Sequence, residues 1–65
     1  MKTRYDSEAD AFYLRLADGP IVESEEVRPG IVLDFDSQRR VLGIEVLDAS
    51  EQIADGADFG ILTAA

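Results

Sequence analysis

Two stretches of alternating apolar and polar side chains, joined by four polar residues, restrict this chain more than any other feature. Ile31, Leu33 and Phe35 alternate with Val32, Asp34 and Asp36; after Ser37-Gln-Arg-Arg40, Leu42, Ile44 and Val46 alternate with Val41, Gly43, Glu45 and Leu47. Successive side chains of a strand point to opposite faces, so each stretch reads as a strand with one dry face and one wet face. Pairing Asp36 with Val41 sets Phe35 opposite Leu42, Leu33 opposite Ile44 and Ile31 opposite Val46. A slip of one residue would turn the carboxylates inward, so the register is strongly specified. The aliphatics at 31, 33, 35, 42, 44 and 46 are expected to lie together inside, leaving Asp34, Asp36 and Glu45 wet.

Earlier segments extend the same pattern. Lys2 to Tyr5 reads as a short strand ending in the turn formers Asp6-Ser-Glu-Ala-Asp10, where Asp6 is expected to accept from nearby backbone amides. Phe12, Leu14 and Leu16 share one face of the next strand, with Tyr13 and Arg15 on the other. Tyr13 reads as packing area and Arg15 as a cross-strand charge partner. Asp18-Gly-Pro20 breaks the pattern. From Ile21 to Val27 the alternation is poor, because Glu23, Glu25 and Glu26 point to both sides; this suits an edge strand, anchored by Val22 and Val27. Arg28-Pro-Gly30 is a turn signal with Pro29 and Gly30 at its centre.

After the last strand, Asp48-Ala-Ser-Glu51 has the form of a capping box, predicting a helix over about 49–55 before Gly56 weakens it. Ile53, Phe59, Ile61 and Leu62 remain as apolar anchors. The expected fold is α+β: a small antiparallel sheet of four to five strands, a meander of hairpins over about 2–47, with one short C-terminal helix. Residues 1–65 read as a single domain with a tail from 56.

The formal net charge is −8, and the excess is uneven. Lys2, Arg4 and Arg15 balance Asp6, Glu8 and Asp10, whereas Asp18, Glu23, Glu25, Glu26, Asp34 and Asp36 face Arg28 alone between residues 17 and 36. Such a surface repels phosphates, so no direct nucleic-acid partner is expected; a basic protein or a cation is the fitting guest. A domain of this length buries only about 60% of its unfolded surface. With no cysteine or histidine, disulfides and the usual zinc sites cannot reinforce it. Association is the remaining device, and a homo-oligomer, a dimer first, or a basic partner is expected. Met1-Lys-Thr-Arg-Tyr-Asp6 has no apolar signal region, and no apolar run approaches membrane-spanning length, so a cytoplasmic location is expected.

A string of spaced residues carries a resemblance: Tyr5-Asp6, Glu8-Ala-Asp10, Tyr13-Leu-Arg-Leu16, Glu23-Ser-Glu25, Pro29-Gly30, Leu33-Asp34, Gly43-Ile-Glu45 and Leu47-Asp-Ala-Ser50. Over 5–50 it resembles the bacterial domain-of-unknown-function family 2283, also called YuzE-like. The resemblance implies a small antiparallel sheet with a helix, and no activity or cofactor. Because relatives are often found beside genes for small toxin-like domains, it also implies an antitoxin-like or accessory role. The chain departs from the family after Ser50, where Asp55-Gly-Ala-Asp-Phe-Gly60 replaces a longer amphipathic helix.

Without histidine or cysteine, imidazole and thiol chemistry are excluded, and carboxylates, Tyr, Arg and Ser are left. Two classes of function follow. One is an interaction module that uses Glu23, Glu25, Glu26 and the apolar Phe59, Ile61 and Leu62. The other is a carboxylate-dependent binder of Mg²⁺ or Ca²⁺, or an enzyme, on Asp34, Asp36 and Glu45. The first is preferred, since charge, size and the lack of catalytic groups all point to it.

Overall fold

The computed structural model describes residues 2–56. Each alternating stretch becomes a strand: β1 (Lys2–Asp6), β2 (Ala11–Arg15), β3 (Glu23–Arg28), β4 (Ile31–Phe35) and β5 (Val41–Val46), followed by one helix, α1 (Ala49–Gln52). They form a five-stranded antiparallel sheet in the order β1-β2-β5-β4-β3. Hairpins join β1 to β2, β3 to β4 and β4 to β5, but the meander is broken once. The connection after β2 carries the chain to the far edge, so that β2 pairs with β5 instead of β3. The composition of the strands fits the order. β5 carries Val41, Leu42, Ile44 and Val46 against one acid and takes the centre, where three of its residues are buried, whereas β3 carries Glu23, Glu25, Glu26 and Arg28 and is exposed throughout at the rim.

Away from the β4–β5 loop the apolar face pairs as expected. Phe12 lies opposite Val46, Leu14 opposite Ile44, Ile31 opposite Val46 and Leu33 opposite Ile44. Phe12, Val46 and Ala49 of α1 form the buried cluster, with Tyr5, Leu14, Ile31, Ile44 and Ile53 packed against it.

At the loop end the expected register changes. Phe35 faces Val41, not Leu42, because a bulge intervenes after Asp34↔Gly43. The loop is closed by the Asp36 amide on the Arg40 carbonyl at 2.9 Å and the Arg39 amide on the Asp36 carbonyl at 3.0 Å, which draws Val41 back to Phe35. Leu42 becomes the extra residue. Its carbonyl accepts from both Leu16 and Ala17, at 2.8 and 3.2 Å, and its side chain is buried outside the main cluster.

A second correction concerns what is dry. Asp34, expected in solvent, is 6% exposed, while Leu33 is only half-buried. The side chains of Val22 and Val27 do not anchor β3 by burial either; they are 58% and 51% exposed, although the Val22 amide donates to the Phe35 carbonyl at 3.0 Å. Among the described residues β3 is the last strand on this side of the sheet, and its pairing with β4 is itself irregular between Glu26 and Arg28, where Val27 lies.

The helix is shorter than predicted, and its cap is different. Asp48 occupies the N-cap position with φ 51°, in the left-handed region, and its side chain makes no capping bond. Asp10 does this work across 40 residues: its carboxylate accepts from the Ser50 amide at 3.0 Å and the Ser50 hydroxyl at 2.6 Å. Its carbonyl accepts from the Ala49 amide at 2.8 Å. The β1–β2 turn thus supplies the partners that first-turn amides require. Ile53 then turns extended, at φ −98° and ψ 136°, and packs on the core cluster, which ends the helix at Gln52. The Pro29-Gly30 turn is as expected. Gly30 has φ +85°, the value that a type II turn asks of its second central residue. Phe59, Ile61 and Leu62 lie outside the described residues.

Candidate functional site

One row of residues crosses the polar face of the whole sheet: Lys2, Arg15, Gly43, Asp34 and Ser24, each opposite the next. Gly43, in the middle, has no side chain, and the Tyr13 ring lies over it. A Cβ at this position would fall 2.6 Å from the Tyr13 hydroxyl oxygen. Glycine inside a strand marks such a close approach. From this position Tyr13 donates to Asp34 Oδ2 at 3.3 Å and accepts from Arg15 Nη1 at 3.3 Å. Ser24 donates to Asp34 Oδ1 at 2.6 Å. Both oxygens of the buried carboxyl group therefore have a partner, as a buried polar group requires.

Arg15 is not the cross-strand charge partner that was expected. Its guanidinium holds the chain after β2, with Nε donating to the Ala17 carbonyl at 2.7 Å and Nη2 to the Gly19 carbonyl. The network Arg15–Tyr13–Asp34–Ser24 spans β2, β4 and β3 across the gap left on β5, and leads into the connection that carries the chain to the far edge. Beside it runs an open groove of about 380 Å³, bordered by Arg4, Asp6, Tyr13, Ile21, Asp34 and Glu45.

The carboxylates expected to hold a metal have separate positions. Asp34 and Glu45 are diagonal neighbours on one face, as the pairing requires, with Asp34 engaged by the two hydroxyls. Asp36 belongs to the loop. Its Oδ1 accepts from the Gln38 and Arg40 amides at 2.8 and 2.9 Å, and its Oδ2 pairs with Arg40 Nε at 3.2 Å. Among the described residues no three acidic side chains are grouped to hold a cation. Asp6 forms the expected turn, accepting from the Glu8 and Ala9 amides at 3.0 and 3.3 Å.

Two carboxyl groups are held below the usual carboxylate range. For Asp10 the cause is the Ser50 hydroxyl first and the Tyr5 hydroxyl second; the same bond raises the Tyr5 phenol. For Asp36 it is the Arg40 amide first, then the Gln38 amide and the Arg40 side chain. Both groups therefore serve structure: one caps a helix and the other closes a loop.

The remaining candidates, Glu23, Glu25 and Glu26, stand together on the outer strand. Glu23 faces Phe35 and Glu25 faces Leu33 on the apolar side, while Glu26 faces Val32 on the other. All three are exposed. Sequence reasoning placed this edge but missed the Asp34 network. The available signal was Gly43, a glycine in the interior of a strand whose partner carries the acid.

The family model described as "Protein of unknown function (DUF2283)" matches residues 2–50, which include all five strands and the Asp10–Ser50 cap. No curated protein matches the chain, and no solved structure does. The chain belongs to the DUF2283 family, whose function is unknown.

Proposed function

We propose that this protein is a small acidic interaction module whose sheet is completed by another polypeptide, either a second copy or a basic partner. The observation that carries the reading is the incomplete cover that the described residues give the apolar face. A helix of four residues packs over one end of the sheet, and beyond it Leu14, Leu33, Phe35 and Ile44 stay half-buried. No large side chain among the described residues is fully buried. A domain of this size has little core to spare, and covering such a face is worth about 25 cal/mol per Å² of apolar area. Phe59, Ile61 and Leu62 supply further apolar side chains to the same association. An accessory or antitoxin-like subunit is one form that such a module takes.

Sedimentation of the full chain over a range of concentrations tests the reading, with Leu33→Glu as the control variant. A mass above the monomer that falls in the variant, while its circular dichroism is kept, is the expected result. A monomeric mass at every concentration, with no salt-sensitive binding to basic proteins, refutes it.

A further inference from the structure

We propose that the outer edge of β3 takes up an extended basic segment of a partner protein as a sixth strand; this rests on the interaction-module reading and names the partner's chemistry. Among the described residues β3 ends the sheet, with no strand beside its outer main-chain groups, and all six of its residues are exposed. An open edge of this kind recruits a strand through main-chain hydrogen bonds, with side chains setting the specificity.

Charge selects the guest. Glu23, Glu25 and Glu26 outnumber Arg28 on this strand, in a chain of net charge −8. A second copy of β3 would set like charges opposite one another, which destabilises a strand pair, whereas Lys or Arg opposite them stabilises it. Apolar contact is offered at both ends of the acidic run by Val22 and Val27, 58% and 51% exposed.

Period-two geometry then gives the pattern of the incoming segment. In an antiparallel addition, cations two residues apart meet Glu25 and Glu23, and a third, next to the first of these, meets Glu26. Apolar residues at the two ends reach Val27 and Val22. Val-Lys-Lys-Thr-Lys-Val is the shortest probe with this pattern.

The test is an amide-resolved NMR titration of the full chain with three peptides: this probe, the probe methylated on alternate backbone nitrogens, and Val-Glu-Glu-Thr-Glu-Val. Shifts confined to residues 22–28, with the methylated peptide weaker by about tenfold or more, are expected from an edge read through its main chain. The triple variant E23K/E25K/E26K, with unchanged circular dichroism, should prefer the acidic peptide. Equal affinity for the methylated peptide, or shifts spread over the other acidic positions, would overturn strand addition and leave the interaction module standing. If no peptide binds, strand addition fails. Should that chain also sediment as a monomer with no salt-sensitive capture of basic proteins, both readings fail. Concentration-dependent growth by pairing of β1 from one copy onto β3 of another would instead make this chain its own guest and overturn the basic partner.

Discussion

Tyr13→Phe removes a single oxygen and leaves the aromatic ring in place over Gly43, which makes it the cleanest probe of the Asp34 network. The deleted hydroxyl donates to Asp34 at 3.3 Å and accepts from Arg15 at 3.3 Å. A hydrogen bond to a charged group is worth about 1.5–3 kcal/mol, and one at the long end of the range less, so a loss of about 1–2 kcal/mol is expected. Ser24→Ala removes the shorter bond, 2.6 Å, and should cost about 1.5–3 kcal/mol. In the double variant the carboxyl group, 6% exposed, keeps neither partner. Its desolvation is then uncompensated, and the combined loss should exceed the sum of the two. Adding Asp34→Leu removes the stranded group itself and should recover part of that loss. At about 0.05–0.15 kcal/mol per residue, this chain has roughly 3–10 kcal/mol in total, so each step is visible in urea melts. In thermal melts each kcal/mol corresponds to about 4–8 °C. Strictly additive losses, or single variants within about 0.5 kcal/mol of the parent, would refute the network as a stabilising unit.

Phe12→Ala should cost about 3–5 kcal/mol and leave little folded protein by circular dichroism, whereas Leu33→Ala, at a half-buried position, should cost less; the reverse order would show that the core is misplaced. Gly30→Ala puts a Cβ at φ +85° against the Gln52 side chain and 3.2 Å from the Leu47 carbonyl oxygen, and should lower the melting temperature through backbone strain of about 1 kcal/mol or more. Asp10 and Asp36 titrate below their ordinary value in the folded state, so the folded chain holds fewer protons than the unfolded one. Their stabilisation is present above about pH 4 and is lost as pH falls through the folded values. Asp10→Asn should flatten that acid limb and speed hydrogen exchange at Ala49 and Ser50. An unchanged pH profile would count against the cap.

What was legible in the sequence is what depends on neighbours along the chain. Alternation at 12–15, 31–35 and 43–46 assigns strands and faces because side-chain direction in a strand has a fixed period; at 41–42 the bulge overrode it. The edge position of β3 was legible for a related reason: acids pointing to both sides cannot be buried in a central strand. Asp6 and Pro29-Gly30 are turn formers whose chemistry is complete within four residues.

Tertiary structure alone decided what depends on residues brought together from far apart. The capping box was plausible on local grounds, but Asp48 lies in the left-handed region and Asp10 caps α1 across 40 residues. Binary patterning marked Asp34 as wet, because alternation says which face a residue is on and nothing about what covers that face. Gly43 left a gap on the polar side, Tyr13 filled it, and Ser24 closed the edge, so the carboxyl group was buried from above by side chains of two other strands. Which strand would sit beside β2 was likewise undetermined by local pattern. It was decided by the competition for the centre of the sheet, which the mostly apolar β5 occupies while the charged β3 lies at the rim.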